Sequence, residues 1–268
     1  MQGFLKKEKT MKTKFTALLL LLSILTLLFN ACSDKTVGQM IDEADEILLD
    51  SAYSIDVDVS YVCDDEVKDI FDQLGAAEIG VYVDGGKMRI ENKTVINYGE
   101  GDVVFDTQYV MVDGVVYADL KYNLDGYDRL SQAKAYISEE QRDKLFRKQS
   151  VACGITADDF TDVSKSEDDV IICTGANDNV LSELEYILIY QLEGASDTVA
   201  IKNATLTIEL DDGKYGTVSL NCTFDVQIMG SLYSVTMNVE MEYNYGGVSV
   251  TEPEDTLSYG VVSFDEII

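Results

Sequence analysis

The chain has 268 residues, and its 20 Lys and Arg stand against 49 Asp and Glu for a formal charge of −29. A surface this acidic repels nucleic acid and anionic headgroups across a Debye length of about 8 Å, which excludes direct nucleic-acid binding. Histidine is absent, and with it go His-based nucleophilic triads and the commonest zinc ligand.

The first 31 residues carry Lys6, Lys7, Lys9, Lys12 and Lys14 against one acid, Glu8, and then an apolar run from Phe15 to Phe29. A basic head before so short an apolar run reads as a secretory signal, since a membrane-spanning helix needs about 20 apolar residues. Met1 and Met11 are alternative starts, because the segment from Met11 already has signal length. The run ends in Phe29-Asn30-Ala31-Cys32, which resembles the bacterial lipobox. That resemblance implies a diacylglyceryl group on Cys32, cleavage before it, and a lipid-anchored protein on the extracytoplasmic face, a Gram-positive surface before a periplasm. An ordinary signal peptide or an uncleaved anchor leaves the same topology. Residues 32–36 then form a short polar tether, and 37–268 a single domain, undivided by any proline before Pro253. Without residues 1–31 the charges become 15 basic and 48 acidic, a formal −33.

Val37, Met40, Ile41, Ala44, Ile47 and Leu48 follow Thr36 at helical spacing, so an amphipathic helix capped by Thr36 is expected to about Asp50. Period-two alternation takes over in Tyr53, Ile55, Val57, Val59 and Tyr61, and again in Ala77, Ile79, Val81 and Val83. One face of a sheet is thereby apolar and the other wet. Asp84-Gly85-Gly86 leads into Met88 and Ile90, and Asp113-Gly114 between two apolar runs predicts a hairpin. Ser138 with Gln141 forms a capping box for a helix over 139–149, a short strand covers 169–173, and a helix spans 177–193, stopped by Gly194. The last third alternates most cleanly, with turns at Asp211-Asp212-Gly213 and Gly230-Ser231. Thirteen-residue strands span about 44 Å and twist strongly. The expected fold is α+β: a long curved antiparallel sheet, a half-barrel, with helices covering its concave face.

Cys63, Cys153, Cys173 and Cys222 follow the lipobox cysteine. An even number outside the cytoplasm permits two disulfides in three connectivities, of which Cys153–Cys173 and Cys63–Cys222 are preferred; four free thiols are the alternative. No C-x-x-C, G-x-S-x-G or phosphate loop is present. The acid pairs Asp64-Asp65, Asp158-Asp159, Asp168-Asp169 and Asp211-Asp212 lack calcium-loop spacing. No catalytic residue, metal or cofactor is assigned, and an enzyme is not expected.

The N-terminal helix running into Ser54-Ile55-Asp56-Val57-Asp58-Val59, the hairpin Val110–Tyr117, and the long last strand running into Gly247–Pro253 resemble the LolA-like superfamily of lipoprotein carriers, with the LprG- and LppX-type lipoproteins. The resemblance is one of pattern over most of the mature chain and carries over no individual ligand residue. It implies an apolar cavity for acyl chains on the concave side. The wall expected from alternation is Val218, Leu220, Phe224, Val226, Tyr233, Val235, Met237, Val239, Met241 and Tyr243, where Met and Tyr serve equally as core or as adaptable pocket lining. The expected function is binding or carriage of a lipid or other amphiphile. The alternative is a non-catalytic surface module whose acidic convex face meets a basic envelope protein.

Overall fold

The computed structural model describes residues 35–75, 77–97, 102–124, 127–142, 155–166, 169–192, 196–264 and 267. Residues 1–31, where an export signal is expected, Cys32 and Cys153 lie outside them. The described residues up to Met40 belong to a leading unit, in which the Thr36 hydroxyl accepts from the Gln39 amide at 3.3 Å and Gln39 Oε1 accepts from the Thr36 amide at 3.0 Å. This reciprocal cap starts α1, Val37–Asp50.

The main unit, 41–268, is α+β and built on one twelve-stranded open sheet. Its strands are β1 (Tyr53–Val62), β2 (Glu78–Asp84), β3 (Lys87–Asn97), β4 (Asp102–Val112), β5 (Val115–Leu124), β6 (Tyr127–Tyr136), β7 (Phe160–Lys165), β8 (Val170–Ala176), β9 (Ser196–Asp211), β10 (Lys214–Ile228), β11 (Ser231–Tyr245) and β12 (Gly260–Val261). Their order is β12-β6-β5-β4-β3-β2-β1-β11-β10-β9-β8-β7. The first strand is therefore central, and two sequential meanders run outward from it. Every pairing is antiparallel except β12 on β6. The β9–β10 ladder shifts register at Tyr215/Thr217, at Thr223/Phe224 and at Val226/Ile228. Such bulges bend a strand and raise its twist.

Three helices lie on the apolar face. From α2 (Lys68–Leu74), Phe71 is fully buried with its ring 5.2 Å from Tyr61 and 6.2 Å from Phe224. From α3 (Asp178–Gln191), Leu184 and Leu188 are buried where the helix packs on β9. Ala44 and Leu48 of α1 are buried too, and Asp45 receives the Tyr215 hydroxyl of β10. The capping box at Ser138 and Gln141 is formed, and residues 139–142 are helical; the rest of the helix expected over 139–149 lies outside the described residues. Among the described residues no helix is long and apolar enough to cross a membrane.

Two features depart from the sequence reading. Cys63 and Cys222 are free thiols, as is Cys173, so the Cys63–Cys222 bridge is not formed. Tyr61, Met237 and Cys222 sit in register on three adjacent strands. Two strand spacings are about 10 Å, and Cys63 lies past Tyr61, whereas a disulfide needs its Cα atoms within about 7 Å. Burial pushes the Cys173 and Cys222 thiols up to about 11.

The second departure is a small core on the opposite face. After Gly246, whose amide donates to the Ala52 carbonyl at 2.8 Å, the chain crosses the sheet as a strap. Val250 and Tyr259 of the strap bury against Val110, Val112 and Tyr117. Tyr117 donates to Glu252, Tyr259 to Asp119 at 2.7 Å, and Lys134 to the Thr256 carbonyl at 2.7 Å. The strap ends as β12, which covers part of the exposed edge of β6. Val250→Ala should cost about 2 kcal/mol, from two lost methyl groups at ~0.8 kcal/mol each plus a residual cavity. Hydrogen exchange of that variant should speed up in β4–β6 and leave β9–β11 protected.

Candidate functional site

The covered face changes character across the sheet. Tyr243, Ile55, Val81, Ile90, Tyr109, Ala118 and Ala133 lie opposite one another on seven successive strands, from β11 to β6. Tyr243, Ile55 and Val81 are buried, while Ile90, Tyr109, Ala118 and Ala133 are only half-buried. The next row repeats the trend: Met241 is buried, and Val57, Ile79, Asn92, Thr107 and Leu120 are half-buried. Further along, Phe105 stacks on Tyr122 with ring centroids 5.7 Å apart, beside Thr94. Toward one end of β2–β5 the apolar face is thus half-open and interleaved with Asn and Thr, while the row Tyr53, Val83, Met88, Met111, Val116 and Ala135 at the other end is buried.

The wall expected from sequence lies on the same face but at its sealed end. Val218, Leu220, Phe224, Val226, Val235, Met237, Met241 and Tyr243 are buried, and Tyr233 and Val239 half-buried. The strongest alternation in the sequence marks strands packed against the protein's own helices. The half-open strands β3–β5 alternate less clearly because Asn92, Thr94 and Thr107 share their inward face, and periodicity alone ranks such strands lower.

A cluster of tyrosines stands where α1 meets the sealed end. Tyr215 and Tyr243 rings are 5.5 Å apart, and Tyr53 lies 6.4 Å from Tyr243. Burial pushes Tyr53 and Tyr245 up to about 12. The Tyr215 hydroxyl donates to Asp45 Oδ1 at 2.7 Å. Burial raises the Asp45 carboxyl above its ordinary range, the Tyr215 hydrogen bond opposes that rise, and Asp42 adds to it.

The opposite face is polar. Asp56 faces Glu242 and Asp58 faces Glu240 across the β1–β11 ladder, and like charges so placed repel. With Glu78 they border an open depression of about 210 Å³. A second depression of about 390 Å³ is lined by Glu78, Tyr82, Glu91, Lys93, Asp106, Gln108 and Lys121. Its charges largely satisfy one another: Lys93 pairs with Glu78 at 3.2 Å, Gln108 donates to Glu91 at 2.9 Å, and the Arg89 guanidinium stacks 4.2 Å from the Tyr82 ring centre. Among the described residues no three His, Cys, Asp or Glu side chains converge as a metal site.

No family model matches the chain, and no curated protein matches it significantly. Among solved structures it is similar to the 12:0-ACP thioesterase from Umbellularia californica at 12% identity, over 73% of this chain and 75% of that one, with a TM-score of 0.12. A likeness that slight carries no argument about fold or activity.

Asp45 has a raised folded-state value, so its contribution to stability is full below its ordinary 3.8 and is lost as pH rises through the folded value. Asp45→Asn keeps an acceptor for Tyr215 but not the charge. Denaturant titrations should therefore show the variant gaining on the parent as pH rises above 3.8. Tyr215→Phe should cost about 1–3 kcal/mol, the penalty for leaving a buried hydrogen-bonding group without its partner.

Proposed function

We propose that this protein is an extracytoplasmic, lipid-anchored carrier or receptor for an amphiphile, and that it works without covalent chemistry. The observation that carries the reading is the half-open apolar surface of β2–β5 beside a sealed neighbour on the same face. An acyl chain would lie along Ile90, Tyr109, Ala118 and Leu120, and Asn92, Thr94 and Thr107 on the inward face of β3 and β4 would meet its polar end. Burying about ten methylenes at ~0.8 kcal/mol each supplies roughly 8 kcal/mol of gross driving force, from which the lost freedom of the ligand is subtracted. The resemblance of the sequence to LolA-like carriers and the lipobox at Cys32 support the same reading. The proposed ligand wall moves from β10–β11, the strands favoured by alternation, to β2–β5.

A second reading rests on the polar face. There Asp56, Asp58, Glu78, Glu240 and Glu242 make a continuous acidic stripe suited to a basic envelope protein.

Native mass spectrometry of the domain from Ser33 onward, followed by organic extraction, separates the two. Bound mass released as lipid is the expected result; a clean mass with no uptake of fluorescent fatty acid would leave the acidic-stripe reading. Leu120→Asp should lower fatty-acid uptake at least about tenfold, ~1.4 kcal/mol. Val104→Asp, 37% exposed on the other face, should leave it unchanged. Cys32→Ala should abolish palmitate labelling and release the full-length protein from membranes; retained membrane binding would argue against the anchor.

A further inference from the structure

Four hairpins close through two-residue loops in which both residues have positive φ: Gly85-Gly86 (53° and 86°), Asp113-Gly114 (51° and 78°), Asp212-Gly213 (50° and 76°) and Met229-Gly230 (51° and 84°). This is the type I′ geometry that Gly, Asn and Asp accommodate. Three of the four loops obey that preference, and the fourth does not. A left-handed conformation brings the Cβ of an ordinary L-residue too close to the following carbonyl oxygen, and Met has no short polar side chain to offset that strain. Nor does packing compensate, because Met229 is 98% exposed. Leu232, three residues on, is 71% exposed. A helix-former with an oily side chain therefore stands in a strained position, in water, where Asp or Asn would be more stable.

The hairpin also projects. β1 pairs with β11 only as far as Val62 opposite Thr236, so residues 231–235 extend about 17 Å beyond it at ~3.4 Å per residue. On its other side the tip is backed by β9, with Ser196 opposite Ile228. At its base Tyr233 donates to Glu66 at 3.1 Å, next in the chain to the exposed Asp64 and Asp65. The cations of this region are already engaged: Lys68 with Asp72 at 3.0 Å and Lys202 with Asp225 at 2.6 Å.

We propose that Met229 and Leu232 form a protein-docking anchor, which enters an apolar pocket with a basic rim on a partner protein. Flexible, polarizable Met suits such a contact, and anchors of this kind concentrate binding energy in few side chains. The acidic base selects a basic partner and repels an anionic bilayer. This inference is independent of the amphiphile reading, since the tip lies outside β2–β5.

The test uses the full-length protein in the cells that produce it, with a photoreactive phenylalanine analogue at Ser231, which leaves Met229 and Leu232 in place. The same analogue at Asp212 is the control turn. One discrete protein adduct is expected from position 231 and none from 212. Met229→Asn or Leu232→Ser should abolish it, and high salt should weaken it. Met229→Asn should also raise the urea midpoint of the purified protein and leave fatty-acid uptake unchanged. Absence of an adduct, an adduct that survives both substitutions, adducts of phospholipid mass in place of protein, or a lowered urea midpoint would each overturn the proposal.

Discussion

An apolar sheet face in water is the constraint on which this protein is organised. Every strand from β1 to β11 that alternates with period two adds to one continuous face, and that face must be covered for the chain to fold. β1 sits at the centre of the sheet, paired with β2 on one side and β11 on the other. The first strand in the chain is thus completed by nearly the last. Phe71, Leu188 and Leu48 come from three different helices and bury on this one surface. Cover is dense over β9–β11 and over Met88, Met111 and Val116, and thinner over the rest of the inward face of β3–β5, and the proposed binding surface follows from that difference.

Openness is the second constraint. A sheet that does not close leaves two edge strands with unpaired backbone groups. At one edge the protein uses its own C-terminal strap, whose Gly260 and Val261 pair with Ala133 and Lys134. To reach that edge the strap crosses the wet face, and it does so over Val110, Val112 and Tyr117, residues that would otherwise be apolar side chains in water. The second core and the protected edge are therefore one device. At the other edge β7 is short and mostly polar, with Thr161, Asp162, Ser164 and Lys165 exposed, which discourages strand addition without any cover.

The two faces divide the physical work between them. The helix-covered face holds apolar burial, and its tyrosines place one hydroxyl on Asp45. The wet face carries much of the acid, including opposed pairs that lower stability locally but discourage one sheet from stacking on another. An apolar residue kept at a strained, projecting turn stands out against that background. Local strain persists where the surrounding structure sustains it and tends to gather at functional positions.

Much of this was legible in the residues. Helical spacing from Val37, alternation in β1, β10 and β11, the Asp113-Gly114 turn and the Asn177 helix start all depend on neighbours within a few positions, and local chemistry decides them. The helix Lys68–Leu74 was not, because seven residues with one buried side chain carry too little pattern. β6 was missed because its covered face is Arg129, Ser131, Ala133 and Ala135, small or polar residues without alternation of apolar size. The turn read at Gly230-Ser231 falls one residue earlier, since Met229 is no turn former. By itself the sequence determined that one sheet face is apolar and that the chain is acidic and without histidine. Only the tertiary structure decided which part of the apolar face is sealed, which cysteines lie too far apart to pair, and what the residues after Gly246 cover. Those outcomes rest on contacts between residues tens to hundreds of positions apart, and no short-range periodicity encodes them.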